Sequence, residues 1–264
     1  MTTGRASAVP FYAALGLLGG LYVGLVVAML VADLAYTSPA AVGRTLASPD
    51  IRAAVWLTLI SCSASALLAV WVGVPLGYVL ARTRFPGRAV VDLLVDVPIA
   101  LPPLVVGLSL LILFQTPPGL AVQRQLTVTY AVPAVVLAQF VVAAAFAART
   151  MRVTFEQLSP RTEDVAMTLG CSRGRAFWLV TLPEARRGVL AAGTLAWARS
   201  LGEFGPVLVF AGATRGRTEV LATTVYLELS VGNLEAALAV SVLMIGVAVA
   251  VLVLTRALGL RGAG

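Results

Sequence analysis

Residues 164–183 read DVAMTLGCSRGRAFWLVTLP. In a chain dominated by apolar runs this stretch is a polar island, with Glu163, Asp164, Arg173 and Arg175 gathered around Gly170. It is too short for a domain and too polar for lipid, so the segments on either side decide the fold. Of the 264 residues 59% are hydrophobic and only 12% charged, with a mean hydropathy of +0.96. Soluble globular chains carry about 25% charged residues. Runs of about 20 apolar residues are long enough to cross about 30 Å of hydrocarbon as helix, and this chain has several. The expectation is an all-α integral membrane protein, multi-pass in the cell membrane and in contact with lipid, forming one transmembrane domain over residues 1–264.

Six spans are expected. The first is a leading helix at about 10–32, read as retained rather than removed as a signal peptide. Its Gly16, Gly20 and Gly24 share a face, a small-residue pattern that lets helices approach closely in lipid. Residues 33–50 are rich in turn formers and read as an external loop. Segment two, about 51–81, carries Thr58, Ser61, Ser63 and Ser65, hydroxyls expected to bond back along the helix or across to a neighbour. ARTRFPGR (81–88) is a short positive loop. Segment three, about 93–114, holds Pro98, Pro102 and Pro103, which cannot all sit in one regular helix. Broken backbone at membrane depth is tolerated only against protein or a water-filled cavity. Pro102 and Pro103 are compatible with a translocation pathway and equally with a bend against a neighbour. Residues 115–129 read as an external loop, 130–148 as segment four, 188–211 as segment five and 234–255 as segment six.

The net charge of +7 comes from 19 arginines with no lysine or histidine. Without histidine, imidazole metal sites and histidine acid–base catalysis are excluded within the chain. Without lysine there is no Walker-type phosphate loop. No catalytic residue, metal or cofactor is therefore expected, and nucleic acid is not a partner, because the charges cluster at segment ends. Six spans place both termini on one side with 13 arginines: Arg5, three between 82 and 88, seven between 149 and 187, Arg256 and Arg261. The other side has five. Cytoplasmic loops carry the excess of positive charge, so both termini and the 149–187 loop are expected in the cytoplasm. Cys62 and Cys171 are expected as free thiols.

The island reads as two short helices. One spans about 162–169, capped by Thr162 with acids in its first turn, and ends at Gly170. The other spans 176–182 and is stopped by Pro183. By pattern alone an amphipathic interfacial linker fits as well. The order Asp164-Val165-Ala166, Gly170, Val180, Leu182-Pro183 resembles the EAA loop of ABC-importer permeases. ARSLGEFG (198–205) is similar to the GEFG segment of the molybdate, tungstate and sulfate permeases. RFPGR, LPPLVVG and NLEAALAVS add further matches, and the likeness covers about residues 50–256. Two positions depart from the pattern: the core is Asp-Val-Ala with Glu163 one place early, and Leu221-Ala222 stands where Leu-Pro is often found.

The resemblance implies a type I importer permease with its core at about 51–256. It implies a homodimer that forms the pathway for a tetrahedral oxyanion, molybdate or tungstate ahead of sulfate or thiosulfate. The implied partners are a cytoplasmic ATPase dimer, which binds ATP and Mg, and an extracytoplasmic binding protein. Docking to the ATPase carries over to Glu163, Asp164, Ala166, Gly170, Leu182 and Pro183. Arg199 and Glu203, four residues apart inside segment five, are expected to pair, since unpaired intramembrane charge is costly. They either fix packing or, with Phe204, Pro102 and Pro103, line a gate where Arg199 attracts the anion and Glu203 limits its hold. A competing reading is an ion-coupled secondary transporter with a relay of Arg199, Glu203 and Asp96; a non-transporting scaffold is the third.

Overall fold

The computed structural model describes residues 3–261, with side chains from 10 to 257. The side chains of Arg5 and Arg261 and the extreme ends of the 1–264 domain lie outside these. Among the described residues the chain is helical, without strands. Four helices are long and apolar enough to span a membrane: α1 (Thr3–Tyr36), α3 (Pro49–Arg82), α7 (Val132–Gln157) and α14 (Leu234–Arg261). A bent pair, α4 (Arg88–Ala100) and α5 (Pro103–Leu113), which meet at 114°, has the length and composition of a broken fifth span or a re-entrant loop. Leu101 is extended, as the residue before a proline tends to be, and Pro102 opens α5. The break expected from the prolines is therefore present.

Segment five differs from expectation. It is not one helix but α11 (Arg186–Leu201) followed by α12 (Gly205–Phe210), parted at Gly202-Glu203-Phe204. Gly205-Pro206 explains the restart, because proline fits the first turn of a new helix and not the middle of an old one. Both expected external loops contain helix: α2 (Pro39–Ala47), whose N-cap Ser38 accepts from Ala41 N–H, and α6 (Pro117–Gln125). Each starts on a proline after a Ser or Thr, a helix-start signal inside what otherwise reads as turn residues. Residues 220–233 hold α13 (Leu221–Ser230).

The centre of the bundle is α3 against α7, with α11 packed on both. Small residues allow the approach. A Cβ on Gly73 would lie 2.9 Å from Ala147 Cβ, and one on Gly77 would lie 2.7 Å from Met151 Cβ. Hydroxyls behave as expected: Thr58 donates to the Ala54 carbonyl and accepts from Leu221 N–H, Ser65 donates to the Val136 carbonyl at 2.9 Å, and Trp197 donates to Ser63 at 3.2 Å. Cys62 and Cys171 are free. Asp96 pairs with Arg149, and Asp92 with Arg152, which also holds Glu156 at 2.9 Å. These pairs tie α4 to α7. Among the described residues nothing lies within 4 Å of a Cβ placed on Gly16, Gly20 or Gly24 of α1, so the close packing expected there has no partner among them.

Candidate functional site: the polar loop and the two helix breaks

The island folds as α8 (Pro160–Thr168), α9 (Arg173–Ala176), a π-helical turn (Phe177–Thr181) and α10 (Leu182–Glu184), which leads into α11. The N-cap of α8 is Ser159, not Thr162. The Ser159 hydroxyl accepts from Arg161 N–H, Pro160 takes the first helical position, and Thr162 donates to the Ser159 carbonyl. Gly170 ends the helix with φ +91°, a left-handed conformation that glycine adopts without steric cost. Pro183 does not stop the second helix, contrary to expectation. In the preceding π turn Leu182 N–H bonds to the Phe177 carbonyl five residues back. A wider turn gives the proline ring the room that an α turn denies it.

The docking residues proposed from sequence fall into two groups. Asp164, Gly170 and Pro183 are exposed and Leu182 is half-buried, whereas Ala166 is buried beneath α8. Glu163 also points inward: it is 6% exposed, accepts a 2.5 Å hydrogen bond from the Tyr78 hydroxyl of α3, and accepts a second from Thr181 at 3.2 Å. Glu163 therefore braces the loop against the bundle, and Asp164 is the acid that faces outward. Beneath this brace Tyr78, Phe155 and Phe177 pack edge to face, and Arg82 donates to the Leu158 carbonyl at 2.9 Å. Sequence reasoning missed Tyr78 and Thr181. The only hint was the i, i+3 spacing that sets Glu163 and Ala166 on one helix face. The loop surface carries exposed Val165, Leu169, Trp178 and Leu179, with Leu169 at 81% and Trp178 at 67%, beside exposed Arg173 and Arg175. Large apolar side chains this exposed call for a partner, protein or lipid.

The second cluster is where the two helix breaks meet. A Cβ on Gly205 would lie 3.1 Å from Leu104 N and from Pro103 Cβ, and one on Gly107 would lie 2.8 Å from Pro206 Cα. The starts of α5 and α12 thus pack backbone to backbone, which brings Pro103 beside the Glu203-Phe204 break. Gly107 and Pro206 were not singled out from sequence. Arg199 and Glu203 pair at 2.7 Å, with Glu203 1% exposed. The contact lacks hydrogen-bond geometry, so Glu203 Oε1 keeps no donor. The Arg199 guanidinium also lies 5.7 Å from the centre of the Phe146 ring, within cation–π range. Asp96 is held by Arg149, so the three-residue relay with Arg199 and Glu203 is not assembled.

This is a helical membrane protein with interrupted spans and a braced apolar loop, the architecture of a transport permease. Residues 73–261 match the family of binding-protein-dependent transport system inner membrane components, and the chain belongs to it. It is similar to a probable molybdenum ABC transporter permease of Haloferax volcanii, 36% identical over 84% of this chain and 81% of that one. It is also similar to the molybdenum transport permease of Mycobacterium tuberculosis (39% identical; 77% and 78% covered) and the sulfate transport permease of Escherichia coli (34%; 80% and 78%). The fold resembles a bacterial ABC transporter that imports alginate, at a TM-score of 0.74 and 17% identity over 97% of this chain and 96% of that one. It also resembles an inward-facing methionine ABC transporter, with a TM-score of 0.65, 21% identity and 79% and 94% coverage. The chain is therefore an ABC-importer permease subunit of the inner membrane, not itself an enzyme.

Proposed function

We propose that this chain forms the translocation pathway of an oxyanion importer, with molybdate or tungstate as substrate and sulfate or thiosulfate as the second reading. The relatives named above for molybdenum and sulfate transport support the substrate class. The observation that carries the mechanism is the exposed apolar surface of the braced loop. A separate ATPase dimer, which binds ATP and Mg, seats this loop in a surface groove; Asp164, Leu169, Trp178, Leu182 and Pro183 make the contact, and Gly170 sets the turn between the helices. Glu163 and Ala166 hold the loop in shape. ATP-driven closure of the ATPases then moves the loops, and the bundles follow as rigid bodies.

The six-span reading counts α1, α3, α4–α5, α7, α11–α12 and α14, with both termini cytoplasmic. Two copies enclose the pathway, and an extracytoplasmic binding protein delivers the anion to the outer mouth. The gate lies where the α4–α5 and α11–α12 breaks meet. Arg199, only half-buried, offers the anion a counter-charge, and Glu203 keeps that charge from holding it too tightly, while Phe204, Pro102 and Pro103 shape the passage. The decisive experiment co-purifies the chain with its ATPase and measures ATP hydrolysis with binding proteins loaded with molybdate, tungstate or sulfate. Stimulation by one loaded form assigns the anion. ATPase that stays bound after Gly170→Asp and loss of the loop sinks the docking assignment.

A further inference from the structure

Two adjoining cavities of about 380 Å³ and 410 Å³ lie along α11 and α14 and share Leu190, Thr194 and Thr255 as lining. The walls are almost entirely apolar, but at one end the first cavity is rimmed by Arg187 and Arg256. Both arginines are exposed, and neither is ion-paired among the described residues. Two guanidiniums on the rim of one cavity can each offer an anion charge-assisted hydrogen bonds. Depth agrees. From Leu234 to Arg256, α14 rises about 33 Å at about 1.5 Å per residue, the thickness of the hydrocarbon core, which sets Arg256 at one membrane surface. From Arg187 to Ala198, α11 rises about 16 Å, the depth of one leaflet. A phosphate at the rim and an acyl chain along the groove fit both ends of the site.

We propose that this groove binds an anionic phospholipid, with its headgroup phosphate between Arg187 and Arg256 and an acyl chain along Leu190 and Thr194. Basic pockets between membrane helices at the headgroup level hold lipid phosphates in this way. The site does not depend on which leaflet it faces. A Cβ on Gly193 would meet only Val70 Cγ2, at 3.5 Å, so glycine here keeps the floor of the groove open.

The test is native mass spectrometry of the assembled transporter purified with equal phosphatidylglycerol and phosphatidylcholine. The complex should retain phosphatidylglycerol in preference by on the order of thirtyfold, at two arginines in contact with one headgroup. Arg187→Gln with Arg256→Gln should abolish the preference. Arg124→Gln with Arg217→Gln, an equal charge change on two exposed arginines remote in sequence from the groove, should leave it intact. Ala191→Trp, which fills the groove and keeps both arginines, should also lower retention. Undiminished retention in the double variant overturns the proposal. So does complete displacement by inorganic phosphate, which would make this a free-anion site. Dissociation of the subunits without loss of lipid also overturns it, since the groove would then seat a second copy.

Discussion

Removing the Tyr78 hydroxyl should loosen the loop without touching its outer surface. In Tyr78→Phe the ring keeps its packing on Phe155 and Phe177, and only the 2.5 Å bond to Glu163 is lost. A hydrogen bond to a charged group contributes about 1.5–3 kcal/mol, equivalent to about a tenfold to a hundredfold rise in the opening constant of the loop. Glu163→Ala removes both bonds and leaves the buried Thr181 hydroxyl and the half-buried Tyr78 hydroxyl without their acceptor, up to about 6 kcal/mol if the effects add. Hydrogen exchange of peptides covering 160–184, in the purified transporter, reads the opening directly. Exchange should quicken in the order Asp164→Asn, Tyr78→Phe, Glu163→Ala, with the first indistinguishable from the parent. ATPase affinity should fall for Asp164→Asn with the loop still closed. If Glu163→Ala leaves exchange unchanged yet weakens ATPase binding as Asp164→Asn does, Glu163 is a docking contact and the bracing argument fails.

Gly188→Ala should destabilise the bundle by about 1–3 kcal/mol by overpacking, because the new Cβ would lie 2.8 Å from Thr154 Cβ. Thr154→Ala in the same chain removes the Thr154 methyl and hydroxyl that crowd the new Cβ but keeps the Thr154 Cβ, so it should restore part of the lost thermal stability, while Gly174→Ala, in open space, should cost little. Glu203→Gln should lower ATP-driven uptake in proteoliposomes more than it lowers assembly with the ATPase; unchanged uptake would count against a gate at the two breaks. Burial pushes the Glu219 carboxyl above its ordinary value of 4.5, against the opposing pulls of the nearby Thr224 hydroxyl and of Arg215. The folded chain then binds more protons than the unfolded one, so thermal stability should decline as pH rises from about 4.5 through the raised value. Glu219→Gln should flatten that slope, and an identical slope in the variant would refute the assignment.

The parts of this fold that follow from backbone rules were legible in the sequence. Pro102-Pro103 forces a break in segment three whatever surrounds it, and Gly170 is the residue that takes the left-handed turn after α8 without steric cost. The break in segment five was less visible, because Gly202-Glu203-Phe204 is a stretch a helix can accommodate; only Gly205-Pro206 announced it, inside an otherwise continuous apolar run. The inward turn of Glu163 was illegible for another reason. It depends on a donor from Tyr78, 85 residues away, and neighbouring acids look alike until the partner helix is in place. The pairing of Arg199 with Glu203 was readable from spacing, but their position at a helix end, beside α5, was not.

The π turn at Phe177–Thr181 makes the loop a measured length of chain. It holds one residue more than an α turn would need, and that surplus lets Pro183 stand within a continuous helical path. Deleting one residue between 177 and 181 would wind the segment into a regular α-helix. Side chains before the deletion would swing by about 100° relative to those after it, at 3.6 residues per turn. Trp178 and Leu179 would lose their bearing relative to Leu182, and Pro183 would fall where its ring collides with the preceding turn. The stretch from Gly170 to Pro183 therefore acts as a spacer gauge: substitutions can change its chemistry, but a change of length by one residue alters the bearing of the loop surface relative to α11.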